Sequence, residues 1–314
     1  MPLLHDVEDF RDLIAVVAAE LGIDPGLVEM DYWIMHGLWG LQQLGIRFEL
    51  KGGTSLSKGF QLIHRFSEDI DILIHPEGDL PTGRNHDKRD HINERRVFFD
   101  GLPARLAIPG FTHAVRDTAF DDPTGRMRGA GIRLIYPELN PLPAGLKAGI
   151  LLEAGFDQVT PNRPCLISSW AYEHATSSGI EDLVDNRAVD VPCYEPGYTF
   201  VEKLQTVSTK FRQQQETGTM PVNFLRHYYD LYCLLDDASV QTFIGTDAYV
   251  AHKKARFRGA DEPDLCQNEA FHLSDPAVRK SYTDAYARTR ALYYRDQPSL
   301  EKILDRLAPN LERL

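Results

Sequence analysis

Between Lys51 and Ile74 the chain reads KGGTSLSKGFQLIHRFSEDIDILI, and its residue types could handle phosphate and a hard metal ion. Gly52-Gly53 permits a tight turn and close approach of a ligand to the backbone. A helix starting there would offer unpaired N–H groups and the positive end of its dipole, a seat for phosphate. Thr54, Ser55 and Ser57 add hydroxyls, and Lys58 adds a cation one turn on. The run is not a P-loop, because Ser57 stands where GxxxxGK[ST] needs its second glycine. By itself the Gly-Gly-Thr run also fits a plain structural turn. Asp69 and Asp71, two apart on a strand, point to one face. Two such carboxylates repel, and a shared Mg²⁺ held jointly with substrate phosphates relieves them. A solvated edge strand is the alternative, but the neighbouring Ile70, Ile72, Leu73 and Ile74 favour an interior strand whose polar face has a purpose.

Several elements must position these groups. Phe10, Leu13, Ile14, Val17, Ala18 and Leu21 recur at helical spacing, and Asp24-Pro25 caps a second helix that ends near Gly45. Arg47–Lys51 reads as a short strand entering the glycine pair, Thr54–Ile63 as a helix, and Asp69–Ile74 as a half-buried strand. A charged loop over 76–90 and a helix near 91–102 follow. Two more strand candidates, 130–136 and 147–153, flank a Pro/Gly-rich turn. Beyond about residue 165 helical patterns dominate: 199–216, 222–236 and a Tyr-rich stretch from 276. The expected class is α+β, with a mixed-sheet lobe over 1–164 and a mainly helical lobe over 165–314.

Composition narrows the functional classes. The 314 residues are 43% hydrophobic and 25% charged, and 34 Lys+Arg against 46 Asp+Glu give a net charge of −12. This balance argues against wholesale nucleic-acid wrapping but allows a local basic groove. No apolar run approaches the roughly 18–20 residues of a membrane span. The acidic start, MPLLHDVEDFRDL, does not resemble a secretory signal, so a cytoplasmic protein is expected. Cys165, Cys193, Cys233 and Cys266 form no CxxC pair and are expected as free thiols. His64, His75, His86 and His91 lack zinc spacing, and neither GxSxG nor GxGxxG occurs. Tyr282, Tyr286, Tyr293 and Tyr294 are expected to pack between helices.

A phosphate cradle followed by Asp-x-Asp on the next strand resembles the core of the nucleotidyltransferase superfamily, related to DNA polymerase β. More closely, KGGTSLSKG with RFSEDIDI resembles the AbiEii/AbiGii nucleotidyltransferase toxin family, which includes the mycobacterial MenT toxins. Glu202-Lys203-Leu204 is similar to its third motif, and Arg226 followed four residues later by Asp230-Leu231 to its fourth. The four motifs span 51–232; the last 80 or so residues lie outside them.

The resemblance implies a nucleotidyltransferase-like mixed sheet and a helical lobe that brings Lys203 and Asp230 to the cleft. It implies that Gly52, Gly53, Thr54 and Ser55 hold the phosphates of an NTP, with Lys58 and Ser67 as further candidates; Ser67 is equally suited to a turn. Asp69 and Asp71 would bind Mg²⁺, with Mn²⁺ as the alternative metal. Glu153, ending the apolar strand AGILLE, is the candidate third acid or else a solvated strand end. Lys203 would neutralise the triphosphate, and Asp230 would complete the site or pair with Arg226. The implied activity is that of a toxin in a type IV-like toxin–antitoxin pair. It would transfer NMP from an NTP, most simply to the tRNA 3′ end, with pyrophosphate release. A protein or small-molecule acceptor, and a non-catalytic nucleotide-binding regulator, are the alternatives. The basic run 252–258 and Arg126, Arg128 and Arg133 are candidate RNA contacts. A cognate antitoxin, AbiEi-like, is expected to be encoded nearby.

Overall fold

Strands with one apolar and one polar edge set the plan of the first part of the chain. The computed structural model describes residues 1–83, 85–143, 145–157, 160–180, 182–257 and 259–314. These fall into two units, Met1–Phe60 with Phe66–Tyr194, and Gln61–Arg65 with Glu195–Leu314.

The first unit starts with helices α1 (Phe10–Leu21) and α2 (Pro25–Gln43). Asp24 caps α2 by accepting from the Gly26 N–H, and Pro25 takes the first helical position, where its missing N–H has no helical partner to lose. Strand β1 (Arg47–Lys51) runs into a single helical turn, α3 (Gly52–Thr54), and a π-helical turn, Ser55–Gly59. The expected ten-residue helix is therefore shorter: Gln61 at φ +56° breaks it. Strand β2 (Asp69–His75), helix α4 (Arg89–Arg105) and strands β3 (His113–Asp117), β4 (Gly129–Ile135), β5 (Ile150–Gly155) and β6 (Asn162–Ile167) follow. Helix α5 (Trp170–Ser177) and strand β7 (Ala188–Tyr194) complete the unit.

The seven strands form one mixed sheet in the order β3-β4-β5-β2-β1-β7-β6. β2 is central, antiparallel to β1 and parallel to β5. Ile70, Ile72 and Ile74 are buried on one face, while Asp69, Asp71 and Leu73 are half-buried on the other. The apolar face packs under α2, whose Gly37 faces Ile70 and Leu134.

The division falls after Tyr194 rather than at 164, which corrects the expected boundary. Residues 165–194 belong with the sheet because β7 pairs in parallel with β1, Leu50 opposite Cys193, and buries Ala188, Val191 and Cys193. Pro164 and Pro192, opposite one another in the β6–β7 register, hid both strands from a propensity reading.

The second unit is helical: α6 (Pro196–Thr217), α7 (Arg226–Leu234), α8 (Ala238–Phe243), α9 (Asp247–Arg256), α10 (Pro276–Ala287) and α11 (Leu300–Leu307). Tyr282, Tyr286 and Tyr293 are buried in it, as expected for packing residues. The four cysteines are free thiols.

Candidate active site

The glycine turn and the paired aspartates meet in the first unit. β1 ends at Lys51, and Gly52 turns the chain at φ +74°. A Cβ at Gly52 would stand 2.8 Å from Asp71 Oδ2 and 3.2 Å from Asp71 Cβ, so only glycine lets the backbone lie this close to the carboxylate. Thr54, fully buried, donates from Oγ1 to the Asp69 carbonyl at 2.5 Å and fastens the turn to β2. The Ser55 hydroxyl donates to the Gly52 carbonyl at 3.0 Å. Both hydroxyls, expected to point at phosphate, donate their protons to the backbone instead. The turn's first N–H groups have no partner within a helix, and they are what it can offer an anion.

Asp71 lies in register between Lys51 of β1 and Glu153 of β5. Glu153 thus stands beside Asp71 on the adjacent strand, about 4.8 Å away along the hydrogen-bonding direction. Lys51 Nζ is 3.6 Å from Asp71 Oδ1. The donors on this face, Asp69, Asp71 and Glu153, are all hard oxygens, the set that Mg²⁺ or Mn²⁺ takes. Among the described residues no group of three or more His, Cys, Asp or Glu is arranged to hold a metal by itself. Mg²⁺ commonly binds through one or two carboxylates plus substrate phosphates, and Asp69 and Asp71 beside the glycine turn fit that mode.

Lys58 is placed differently from expectation. Its Nζ is 2.7 Å from Asp31 Oδ1 and 4.8 Å from the centre of the Trp170 ring. Asp31, on α2, also accepts from the Trp170 N–H at 2.9 Å. Burial pushes the Asp31 carboxyl upward and Lys58 opposes that push, so the lysine is engaged by a buried acid. Ser67 is half-buried and lies just before β2, not on it.

Lys203 and Asp230 belong to the second unit. Lys203 Nζ on α6 is 2.6 Å from Asp230 Oδ2 on α7, and both side chains are buried. Arg65 completes the cluster with two parallel bonds, Nε to Oδ1 and Nη2 to Oδ2, each 2.7 Å. Asp230 therefore pairs with Arg65 and Lys203. Burial alone would raise the Asp230 carboxyl, but the two cations outweigh it and hold the group well below the ordinary carboxylate range. Burial lowers the Lys203 ammonium, Asp230 opposes this, and Arg65 adds repulsion. The sequence reading missed Arg65. Its only signal was a lone arginine at the head of RFSEDIDI, and the partner 165 residues away has no local trace.

Six of the expected basic contacts have acidic or carbonyl partners. Arg126 and Arg128 pair with Asp87, and Arg133 with Asp117. His252 and Arg256 lie near Glu202, and Lys253 donates to the Leu314 carbonyl. Arg258 lies outside the described residues.

A mixed sheet that sets twin carboxylates on its central strand against a glycine turn defines the class: the chain is a nucleotidyltransferase. It belongs to the AbiEii nucleotidyl transferase toxin family of type IV toxin–antitoxin systems, which it matches over residues 33–306. Membership implies a cognate antitoxin. Among solved structures, the chain is similar to an antigenic nucleotidyltransferase-like protein from Paracoccidioides brasiliensis. The two are 12% identical over 74% of this chain and 95% of that one, with a TM-score of 0.31, too low to bear on function. No curated protein matches the chain. Among the described residues no helix is long and apolar enough to cross a membrane.

Proposed function

We propose that the sheet face carrying Asp69 and Asp71 binds an NTP together with Mg²⁺ or Mn²⁺, and that the enzyme transfers NMP to the tRNA 3′ end with release of pyrophosphate. The contact between Gly52 and Asp71 carries this reading. The backbone of Gly52, Gly53 and Thr54 would cradle phosphate oxygens, and Asp69 and Asp71, with Glu153 alongside, would hold the metal. When bound, the metal orients the triphosphate and stabilises charge on the attacking and leaving oxygens. The chain's own part is to hold the carboxylates at fixed spacing on a rigid central strand, fastened through Thr54. Lys203 would neutralise the triphosphate, as its motif implies, and Arg65 and Asp230 order it inside the second unit.

The test is incubation with each α-labelled NTP, Mg²⁺ and total tRNA. Label should enter tRNA with the wild type and not with Asp71→Ala. Absence of transfer under all four NTPs, or undiminished transfer by the variant, would overturn the reading. A protein or small-molecule acceptor stays in view for one reason: the arginines expected to meet RNA are paired with Asp87, Asp117 and Glu202. Label appearing in a protein or small-molecule pool instead would select that alternative.

A further inference from the structure

We propose that Lys51 is an internal counter-ion that occupies Asp71 until a nucleotide polyphosphate arrives, and so makes divalent-metal binding depend on nucleotide. This rests on the functional reading above and adds a residue to it. Lys51 is the last residue of β1, directly before Gly52 and directly opposite Asp71 in the antiparallel register. Its ammonium lies 3.6 Å from Asp71 Oδ1, with the lysine side chain 22% and the aspartate 36% exposed.

The charges around the pair explain why a cation stands there. Asp71 has Glu153 beside it on β5 and shares its face of β2 with Asp69. Three carboxylates on one sheet face repel, and Lys51 offsets one of them. Glu49, the other acid on the same face of β1, is engaged elsewhere: its Oε1 is 2.9 Å from His75 Nε2, and its Oε2 accepts from Asn162 Nδ2 at 2.8 Å.

A metal ion alone must displace the ammonium from Asp71 and leave it among its own positive charge. A metal arriving with a polyphosphate gives the ammonium new oxygen partners, because Lys51 adjoins the glycine turn. The four-carbon stem of lysine reaches either set of oxygens, and its compact charge suits the exchange better than a planar guanidinium would. No bond forms or breaks; one counter-ion replaces another.

The experiment is a Mn²⁺ titration of the full chain by electron paramagnetic resonance without nucleotide, with KM for NTP measured alongside. Lys51→Met should bind Mn²⁺ about fivefold tighter than the wild type, the coupling of a partly exposed ion pair. Its KM for NTP should rise, the opposite direction, which a merely structural lysine would not produce. Lys51→Arg should keep the weak metal affinity of the wild type. Lys51→Gln serves as a second neutral variant, and thermal melts check the fold of each. The proposal fails if folded Lys51→Met and Lys51→Gln bind Mn²⁺ no tighter than the wild type. It fails equally if both neutral variants unfold, since Lys51 is then needed for folding. If the wild type transfers no nucleotide at all, it is the functional reading that fails. Transfer by the wild type with unchanged Mn²⁺ affinity in the variants sinks the Lys51 proposal alone.

Discussion

Gly52→Ala separates two physical effects that share one position. The first is backbone strain: at φ +74° an alanine costs about 1–2 kcal/mol relative to glycine. The second is displacement. The new Cβ would meet Asp71 Oδ2 at 2.8 Å, where ordinary contact begins at 3.4 Å, so the carboxylate must retreat by about 0.6 Å. The atom met first is the end of a side chain, which can swing away, so this second effect falls mainly on activity. Catalysis is sensitive to such shifts; a misplacement of about 1 Å can cost about 10²-fold. Gly22 supplies the control: it sits at φ +65° with nothing within 4 Å of its would-be Cβ. Gly22→Ala should lose the same 1–2 kcal/mol in urea unfolding and keep full transfer activity per folded molecule. Gly52→Ala should lose similar stability and about one order of magnitude in transfer of labelled nucleotide. Transfer by Gly52→Ala within twofold of the wild type would refute the placement of Asp71 at the reacting centre.

Other perturbations test the remaining assignments. Lys58→Met leaves the buried Asp31 without its cation and should cost about 3–5 kcal/mol in denaturant unfolding, with KM for NTP unchanged; a raised KM with little loss of stability would restore Lys58 to the phosphate site. Arg65→Met should destabilise by a similar amount, because it removes both bonds to the fully buried Asp230; denaturation that matches the wild type would show the cluster to be dispensable. Acidification should weaken the fold through His36, which burial lowers from 6.5 to about 4. Its unfolded form binds the proton more readily, so the stability it contributes is complete above pH 6.5 and is lost as pH falls toward 4. Urea unfolding at pH 7.5 and pH 5 should differ by about 2 kcal/mol from this group alone, and a flat profile would contradict it.

The legible parts of the fold were those whose signals are local. Asp24-Pro25 announced α2 because capping depends on residues two or three apart. The alternation Asp69-Ile70-Asp71-Ile72 announced β2 and the face its acids share. β6 and β7 were hidden because Pro164 and Pro192 read as breakers, and only their mutual pairing and the ladder to β1 make them strands. The boundary at 164 moved for the same reason.

For the site, the sequence by itself determined which groups could do the chemistry: a glycine pair, two carboxylates on one strand face, and a lysine and an aspartate in two helical motifs. The glycine pair and the two carboxylates follow from residue type and short-range periodicity, which the chain carries wherever it folds, while the lysine and the aspartate are marked only by the family resemblance of their motifs. Tertiary structure decided what each charge faces. It gave Lys58 to Asp31, Asp230 to Arg65 and Lys203, and Lys51 to Asp71, with Glu153 in register beside it. Charge pairing is a matter of distance in space. The partners here come from separate strands and helices, up to 165 residues apart in the chain, and only the packed sheet and helices fix those distances.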